Sequence, residues 1–244
     1  AVHENLSFYK HASSSDDVGM VQSDELMIRL NYEKWEFGYL FEECKSHVLQ
    51  RSIQFFDEFG VPAHKIFLLP HSHHWYFDEM AKRWADSNQL PGVLLQEKAE
   101  PDQSANSGAL ASIIAERHTS QQETMDAGVV QSLLRSSLEL KLPLLITVQN
   151  HGVSQSHDGV LSEIRDHNDW LHLINQQFNC HLQLAQIPKI CINHQGSPFL
   201  IEMFDKESFL LASIALSTKA TLADRQAWED LLELVKASEM SLLE

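Results

Sequence analysis

The chain has 244 residues, of which 18 are Lys or Arg and 34 are Asp or Glu, so its formal net charge is −16. Hydrophobic residues make up 43% of the sequence, a share typical of a globular protein with one sizeable core. The acidic excess argues against nucleic acid or an anionic membrane as the main partner, because both attract surfaces rich in Lys and Arg.

Compartment signals in the sequence favour the cytoplasm. No apolar run approaches the roughly 20 residues that a membrane-spanning helix needs. Residues 1–20 are polar and show no signal peptide. Cys44, Cys180 and Cys191 are odd in number and widely spaced, which indicates free thiols in a reducing compartment. We therefore expect a cytoplasmic protein without membrane association, and the sequence indicates no cofactor.

The first third of the chain predicts a strand–helix–strand unit. Alternation over residues 26–30 is typical of a strand, and apolar residues at steps of three or four over 35–59 indicate a long helix. Gly60 and Pro62 then predict a turn before an apolar strand at 65–70. This order is that of a βαβ unit, which predicts a parallel sheet.

The rest of the chain continues this alternation less regularly. A capping box of Ser120 and Glu123 predicts the start of one helix, and Thr221 with Asp224 predicts the cap of the last. That last helix carries Trp228, Leu232 and Val235 on one side. The remaining predictions are helices near 75–87, 120–140 and 161–178, strands near 92–95, 144–148 and 188–193, a loop at 100–108, and either a strand or a buried helix at 208–216.

These patterns together predict an α/β fold, with a mostly parallel central sheet covered by helices on both faces. Residues 1–24 have no sustained period and are expected to form a mobile N-terminal segment. Residues 25–244 are expected to form a single domain. We find no repeated segment in the sequence.

Histidines follow three of the predicted strands. His71, His73 and His74 follow the second strand, while His151-Gly152 and then His157-Asp158 follow residue 148. Asn193 and His194 end the strand near residue 190. Ligands of α/β sheets bind beyond the carboxyl ends of the strands, so these residues are candidates for one shared cleft. The alternative is that histidine, which is frequent here, simply suits polar strand ends.

Three segments resemble the caspase-like cysteine peptidases, especially the legumain branch. They are FFDEFGVPAHKIFLL, LLITVQNHGVSQSHDG and PKICINHQGSPF, which are similar to that fold's first helix and second strand, third strand and fourth strand. The resemblance implies a caspase-like three-layer sandwich. It also implies that His151 is the general base, that Gly152 is its small neighbour, and that Gly152, Asn193, His194 and Gly196 contact a peptide or protein ligand.

The family's nucleophile position does not hold a cysteine in this sequence. If Gly196-Ser197 aligns with the family's Gly-Ser pair, the nucleophile position falls on Asn193, whose amide cannot form an acyl-enzyme. Cys191 lies two residues earlier, about 7 Å back along the strand. The first hypothesis is therefore a non-proteolytic binding or regulatory module. The alternative is an active cysteine peptidase-like hydrolase that uses Cys191 and His151, although Cys191 also fits an inert core thiol.

A third hypothesis is a metal-dependent hydrolase. His71 and His73 could face one side and bind zinc, with His157 or Asp158 completing the ligands. The sequence contains no HExxH, GxGxxG, P-loop or GxSxG motif. The resemblance predicts that His151 and Asn193 lie on adjacent strand ends, with Cα atoms within about 15 Å, or roughly three strand spacings.

Overall fold

The computed structural model describes residues 1–45, 48–88, 122–194 and 198–240. Within these ranges the chain forms sixteen strands and three α-helices. The helices are α1 His74–Trp84, α2 Ala127–Glu139 and α3 Leu222–Met240. The strands are β1 Val2–Asn5, β2 His11–Ser14, β3 Val18–Gln22, β4 Leu26–Asn31, β5 Phe37–Lys45, β6 Val48–Phe56, β7 Pro62–Phe67, β8 Gln122–Thr124, β9 Pro143–Gln149, β10 Val153–Val160, β11 Glu163–His167, β12 Trp170–Ile174, β13 Phe178–Leu182, β14 Lys189–Asn193, β15 Leu200–Phe204 and β16 Leu210–Leu216.

The strands form three sheets in which every described pairing is antiparallel. A nine-stranded sheet has the order β2-β3-β4-β10-β9-β16-β15-β14-β8. A four-stranded sheet has the order β1-β13-β12-β11, and a three-stranded sheet has the order β5-β6-β7. The predicted parallel α/β sandwich is therefore wrong.

Two segments predicted as helices are antiparallel strands, and this error produced the wrong fold class. Residues 35–59 contain β5 and β6, and the aromatic residues of β5, Phe37, Tyr39 and Phe41, alternate as half-buried sheet positions require. Residues 161–178 contain β11 and β12, joined by the two-residue turn Asn168-Asp169. Both turn residues have positive φ, 49° and 65°, as a tight type I′ hairpin requires.

Other sequence predictions are confirmed. Strands occur at 26–31, 143–149 and 189–193, and segment 208–216 resolves into the strand β16. The last helix starts after Thr221, whose hydroxyl and backbone N–H both donate to the Asp224 carboxylate. Helix α2 instead begins after Asp126, which accepts a hydrogen bond from the N–H of Gly128. The predicted strand at 92–95, the loop at 100–108 and Ser120 lie outside the described residues.

The main core lies where α2 and α3 pack together against the strands of the second half of the chain. Trp228 of α3 is fully buried and stacks on Phe199 at 4.7 Å between ring centroids. Leu133 and Leu134 of α2 are equally buried. None of the helices in the described ranges is long and apolar enough to cross a membrane.

The structure contains an internal repeat that the sequence prediction missed. The elements β1 to β7 and α1 recur in the same order as β10 to β16 and α3, with a short 3-10 turn at 32–34 and again at 184–186. The two copies exchange a strand: β10 pairs with β4, while the equivalent β1 pairs with β13. Residues 1–24, expected to be a mobile lead-in, contain β1 to β3, and each of these strands is paired.

The turns after β6 and β15 show how closely the two copies correspond. The Oδ1 atom of Asp57 accepts hydrogen bonds from the N–H groups of residues 59 and 61, at 3.0 and 2.8 Å. The Oδ1 atom of Asp205 accepts the equivalent bonds from residues 207 and 209, both at 2.8 Å. Gly60 and Ser208 occupy the same left-handed position, with φ of 77° and 64°.

We expect Asp57→Ala and Asp205→Ala to destabilise the fold by similar amounts, about 1–2 kcal/mol each, because each change leaves two turn N–H groups without their acceptor. Urea unfolding of the two variants measures this loss. Asp→Asn at each position is the control, since it keeps an acceptor oxygen. A loss confined to one of the two turns would show that they are not energetically equivalent.

Candidate functional site

The structure does not bring the predicted catalytic residues together. His151 lies in the turn after β9, whereas Asn193 ends β14, which is separated from β9 by two strands. The registers align Asn193 with Leu200, Ala215 and finally Leu145, near the start of β9. His151 is six positions beyond Leu145, or about 20 Å along the strand direction. The expected common cleft at adjacent strand ends is therefore wrong.

The residues around Cys191 form a buried polar pair rather than a nucleophile site. Cys191 is 1% exposed, and its burial raises the pKa of its thiol. The Asn193 amide donates to Oε2 of Glu202 at 3.1 Å in the sheet interior. His194 is exposed and lies 3.8 Å from the Glu123 carboxylate. Gly196 lies outside the described residues.

The predicted zinc ligands do not form a metal site. His71 and His73 are exposed, and Nε2 of His74 lies 3.1 Å from the carbonyl oxygen of Leu69. His157 is buried and stacks on Phe178 at 4.1 Å. No group of three or more His, Cys, Asp and Glu side chains suited to a metal ion occurs in the part of the chain that the structure describes.

The structure instead brings together an aromatic cluster that we name the Tyr9–His64 cluster, formed by Tyr9, Trp35, Phe55 and His64. His64 lies in the middle of β7, and Phe55 is its cross-strand partner on β6. Trp35 follows the 3-10 turn and stacks on Phe55 at 4.2 Å. The Tyr9 hydroxyl, from the segment between β1 and β2, lies 3.2 Å from Nε2 of His64.

Both polar members of the cluster are neutral at pH 7, although Tyr9 is 44% exposed and only His64 is half-buried. Partial desolvation lowers the pKa of His64 to about 4 and raises the pKa of Tyr9 to about 12. At neutral pH the Tyr9 O–H can therefore donate to the unprotonated Nε2 of His64. His64 is half-buried. Neutral imidazole is the form of histidine that binds transition metals.

The internal repeat shows that this polar pair is a local specialisation. The equivalents of Tyr9 and His64 in the second copy are Leu161 and Ala212, by the matching registers of β1 with β10 and β7 with β16. Leu161 and Ala212 are 4% and 1% exposed, in the main core. The first copy thus has a hydrogen-bonded pair where the second copy has two apolar core residues.

The turn between β9 and β10 forms a wall of the cluster. The indole N–H of Trp35 donates to the carbonyl oxygen of Gly152 at 3.0 Å. The Asn150 amide donates to the carbonyl oxygen of Ala63 at 2.9 Å, which fixes β7 beside the turn. His151, in the same turn, is exposed and packs on Phe209 at 4.1 Å. Two residues predicted from the sequence, Gly152 and His151, thus adjoin the cluster.

A separate groove of about 580 Å³ runs between α1 and β5 in the same copy of the repeat. Leu40, Phe77 and Ala81 form its apolar lining. Arg51 contacts Glu42 at 2.7 Å and Asp78 at 3.1 Å on its rim, and lies over the Phe77 ring. Its lining contains the carboxylates of Glu42 and Asp78 but no histidine or cysteine.

Comparison with known proteins identifies relatives along most of the chain. The model of the haemin-degrading HemS.ChuX domain matches residues 1–84 and 109–234. The hemin transport protein HemS of Yersinia enterocolitica is 20% identical over 262 aligned positions, covering 94% of this chain and 76% of that protein. The hemin transport protein HmuS of Yersinia pestis is 21% identical with the same coverage.

Solved structures show the same fold. The haem-bound form of PhuS, a haem-binding protein from Pseudomonas aeruginosa, superposes with a TM-score of 0.81 at 23% identity, covering 95% of this chain and 77% of that one. ChuS, a haem oxygenase of Escherichia coli, superposes with a TM-score of 0.76 at 16% identity, covering 94% and 79%.

These matches overturn the resemblance to caspase-like peptidases. The segment FFDEFGVPAHKIFLL forms the hairpin β6–β7 rather than a helix and a parallel strand. The segment LLITVQNHGVSQSHDG forms the hairpin β9–β10. The expected peptidase fold, the peptide or protein ligand and the pseudoenzyme or cysteine hydrolase roles depended on that resemblance and are wrong. The metal-dependent hydrolase hypothesis, which rested on the histidines near residue 71, is wrong as well.

We expect Gly152→Ala to destabilise the fold by about 1–3 kcal/mol, because a Cβ atom there has no space. It would lie 2.8 Å from both Ala63 Cβ and Trp35 Nε1. Thermal unfolding measures the loss. Gly128→Ala, whose Cβ would approach only the Asp126 carboxylate at 3.3 Å, is the control and should cost less. Equal stability of Gly152→Ala and the parent protein would contradict the tight contact.

Proposed function

Because the chain belongs to the haemin-degrading HemS.ChuX domain family, we propose that it binds haem, with the imidazole of His64 as the iron ligand. The observation that carries this proposal is a half-buried histidine that stays neutral far below physiological pH, within a cluster of aromatic rings. Related proteins support the choice of ligand, since PhuS is a haem-binding protein and HemS is a hemin transport protein.

The chemistry of the cluster fits haem. Haem iron is held in proteins by an axial side chain, commonly histidine and in some proteins tyrosine. The Tyr9–His64 pair offers both types at 3.2 Å from each other. Trp35 and Phe55 supply flat apolar surface, which suits a porphyrin. His64 needs no deprotonation before it ligates, because its pKa of about 4 leaves it neutral at pH 7.

Among the described residues, the second copy has no equivalent of the Tyr9–His64 pair. Leu161 and Ala212 occupy the equivalent positions in the other copy and offer no ligand atom to a metal.

Cys44, Cys180 and Cys191 form no disulfide, which favours a reducing compartment. Haem binding in the cytoplasm therefore stays our prediction for where the protein acts.

We expect His64→Ala to weaken haem binding at least tenfold, or about 1.4 kcal/mol, because it removes the axial ligand. Haem titration followed by the Soret absorption measures affinity. His151→Ala is the matched control, since His151 is an exposed histidine beside the same turn, and it should bind like the parent protein. Far-UV circular dichroism confirms that each variant is folded.

Tyr9→Phe separates the two candidate ligands. If His64 ligates through Nε2, removal of the competing Tyr9 hydrogen bond should leave affinity unchanged or improve it by up to about fivefold. A tenfold loss in Tyr9→Phe would make Tyr9 the ligand instead. Loss of binding in His151→Ala with full binding in His64→Ala would place the ligand outside the Tyr9–His64 cluster.

The pH dependence of binding follows from the depressed pKa of His64. A ligand with a pKa near 4 is unprotonated at both pH 7 and pH 5.5, so affinity should be the same at the two values within twofold. An ordinary exposed histidine with a pKa near 6.5 would bind about eightfold more weakly at pH 5.5. Haem titrations at the two pH values distinguish the cases, and an eightfold loss would contradict ligation by His64.

A further inference from the structure

Two histidines lie opposite each other on the four-stranded sheet, on the face that turns away from the main core. His172 of β12 and His181 of β13 are direct cross-strand partners. Their neighbours along the strands, such as Leu173 and Leu182, are fully buried in the main core. Because side chains alternate along a strand, the two imidazoles lie on the other, half-buried face. We propose that this His172–His181 pair binds a divalent transition-metal ion such as Co²⁺, Ni²⁺ or Cu²⁺.

The spacing of the two rings fits a right angle between metal ligands. The Nδ1 atoms of His172 and His181 lie 2.8 Å apart, with 83° between the ring planes. Two nitrogens that each lie about 2.0 Å from one ion are about 2.8 Å apart at a right angle and about 3.3 Å apart at the tetrahedral angle. Right angles occur in square-planar and octahedral complexes, whereas Zn²⁺ in proteins is mostly tetrahedral. The pair therefore favours Co²⁺, Ni²⁺ and Cu²⁺ over Zn²⁺.

A carboxylate on the neighbouring strand leaves Nδ1 of His181 available to an ion. Nε2 of His181 lies 3.5 Å from Oε2 of Glu4 on β1. A histidine that ligates a metal usually directs its other ring N–H to a carboxylate, which fixes the tautomer and raises the basicity of the ligating nitrogen. Glu4 thus favours the tautomer of His181 with its proton on Nε2 and a lone pair on Nδ1.

The ion replaces the proton that the two rings share. With Nδ1 of His181 unprotonated, the hydrogen bond between the rings needs the proton on Nδ1 of His172. Nε2 of His172 is buried and has no hydrogen-bond partner among the described residues. No contact within this part of the chain therefore fixes the His172 ring in one tautomer. Its proton moves to Nε2 when the ion binds to Nδ1, and both imidazoles stay neutral.

The charges around the pair are compatible with a bound cation. Arg165, the cross-strand partner of His172 on β11, donates to Oε2 of Glu163 at 2.7 Å, so its positive charge is compensated. Glu4 adds a carboxylate beside His181, whose side chain is 20% exposed and accessible to an ion. The described residues contain no group of three or more side chains suited to a metal. The two imidazoles are therefore the protein ligands, and water completes the coordination.

The test titrates Co²⁺ into the isotope-labelled full chain, without haem or a histidine tag, and follows the amide signals by NMR. Pseudocontact shifts decay with distance from the paramagnetic ion, and we expect them to centre on residues 170–174 and 178–182. His172→Gln and His181→Gln should each weaken binding by roughly tenfold or more, because one imidazole remains. His167→Gln, which removes an exposed histidine from the adjacent strand β11, is the matched control and should bind like the parent protein.

Shifts that centre on another segment, such as the exposed histidines at 71 and 73, and are absent from β12 and β13 would overturn the proposal. Equal affinity in His172→Gln and His167→Gln, or no Co²⁺ binding by the parent protein, would also overturn it. The location of the ion is measured on the parent protein, so it does not depend on whether a variant folds. His64→Ala separates this site from the haem site: it should bind Co²⁺ like the parent protein, because His64 lies in the three-stranded sheet.

Discussion

The exchange of strands between the two copies of the repeat is the constraint on which the rest of the structure depends. Among the described strands, β1 pairs only with β13, and β10 joins β4 to β9, so each copy completes a sheet of the other. Phe178 marks this junction, because His157 stacks on one side of it at 4.1 Å and His3 meets it edge-on at 4.7 Å. The His3 Nδ1–H donates to the carbonyl oxygen of Gln155 across the junction at 3.1 Å.

The same backbone plan supports two very different interiors. In the second copy, α2 and α3 cover the sheet, and the core extends over β9 to β16. The first copy has a small apolar cluster formed by Val21, Leu26 and Ile28, and Val153 from the exchanged strand β10 packs against it. The apolar cluster of the first copy is therefore completed by Val153, a residue of the second copy. This leaves its inner surface around β7 available for the aromatic and polar residues of the Tyr9–His64 cluster.

Sequence patterns identified elements whose signals are local. The apolar run in β9 predicts a central strand, and the Thr221–Asp224 cap predicts the start of α3, because each depends only on neighbouring residues. The hairpin of β11 and β12 also has a local signal, the Asn168-Asp169 turn, but the apolar spacing around it predicts a helix. The hairpin β5–β6 gave no such turn signal in the described residues.

The candidate site was beyond sequence reasoning for a different reason. His64 contacts the hydroxyl of Tyr9, 55 positions earlier in the chain, and stacks on Trp35, which follows the 3-10 turn at 32–34. Tyr9 and Trp35 belong to no short motif, and His64 lies in a segment whose resemblance points to a peptidase. The apolar spacing places Trp35 in a helix, where the structure has none. The histidines that did form motifs, at positions 71, 73 and 151, are exposed. Clustering along the sequence therefore predicted polar strand ends rather than a shared site.

The energetic cost of the Tyr9–His64 cluster explains why the repeat can keep it in only one copy. Placing the half-buried His64 imidazole where an apolar group could pack costs about 1–3 kcal/mol, and its hydrogen bond with the exposed Tyr9 hydroxyl returns at most about 1 kcal/mol. The second copy avoids that cost with Leu161 and Ala212, and adds the fully buried Trp228 and Leu133. The apolar core of the second copy stabilises its own sheets. Because β1 and β10 are exchanged, unfolding the first copy would also disrupt sheets of the second copy, so both copies depend on that core. The first copy can therefore keep a polar site at this position, because the second copy keeps an apolar core there and the exchanged strands join the two.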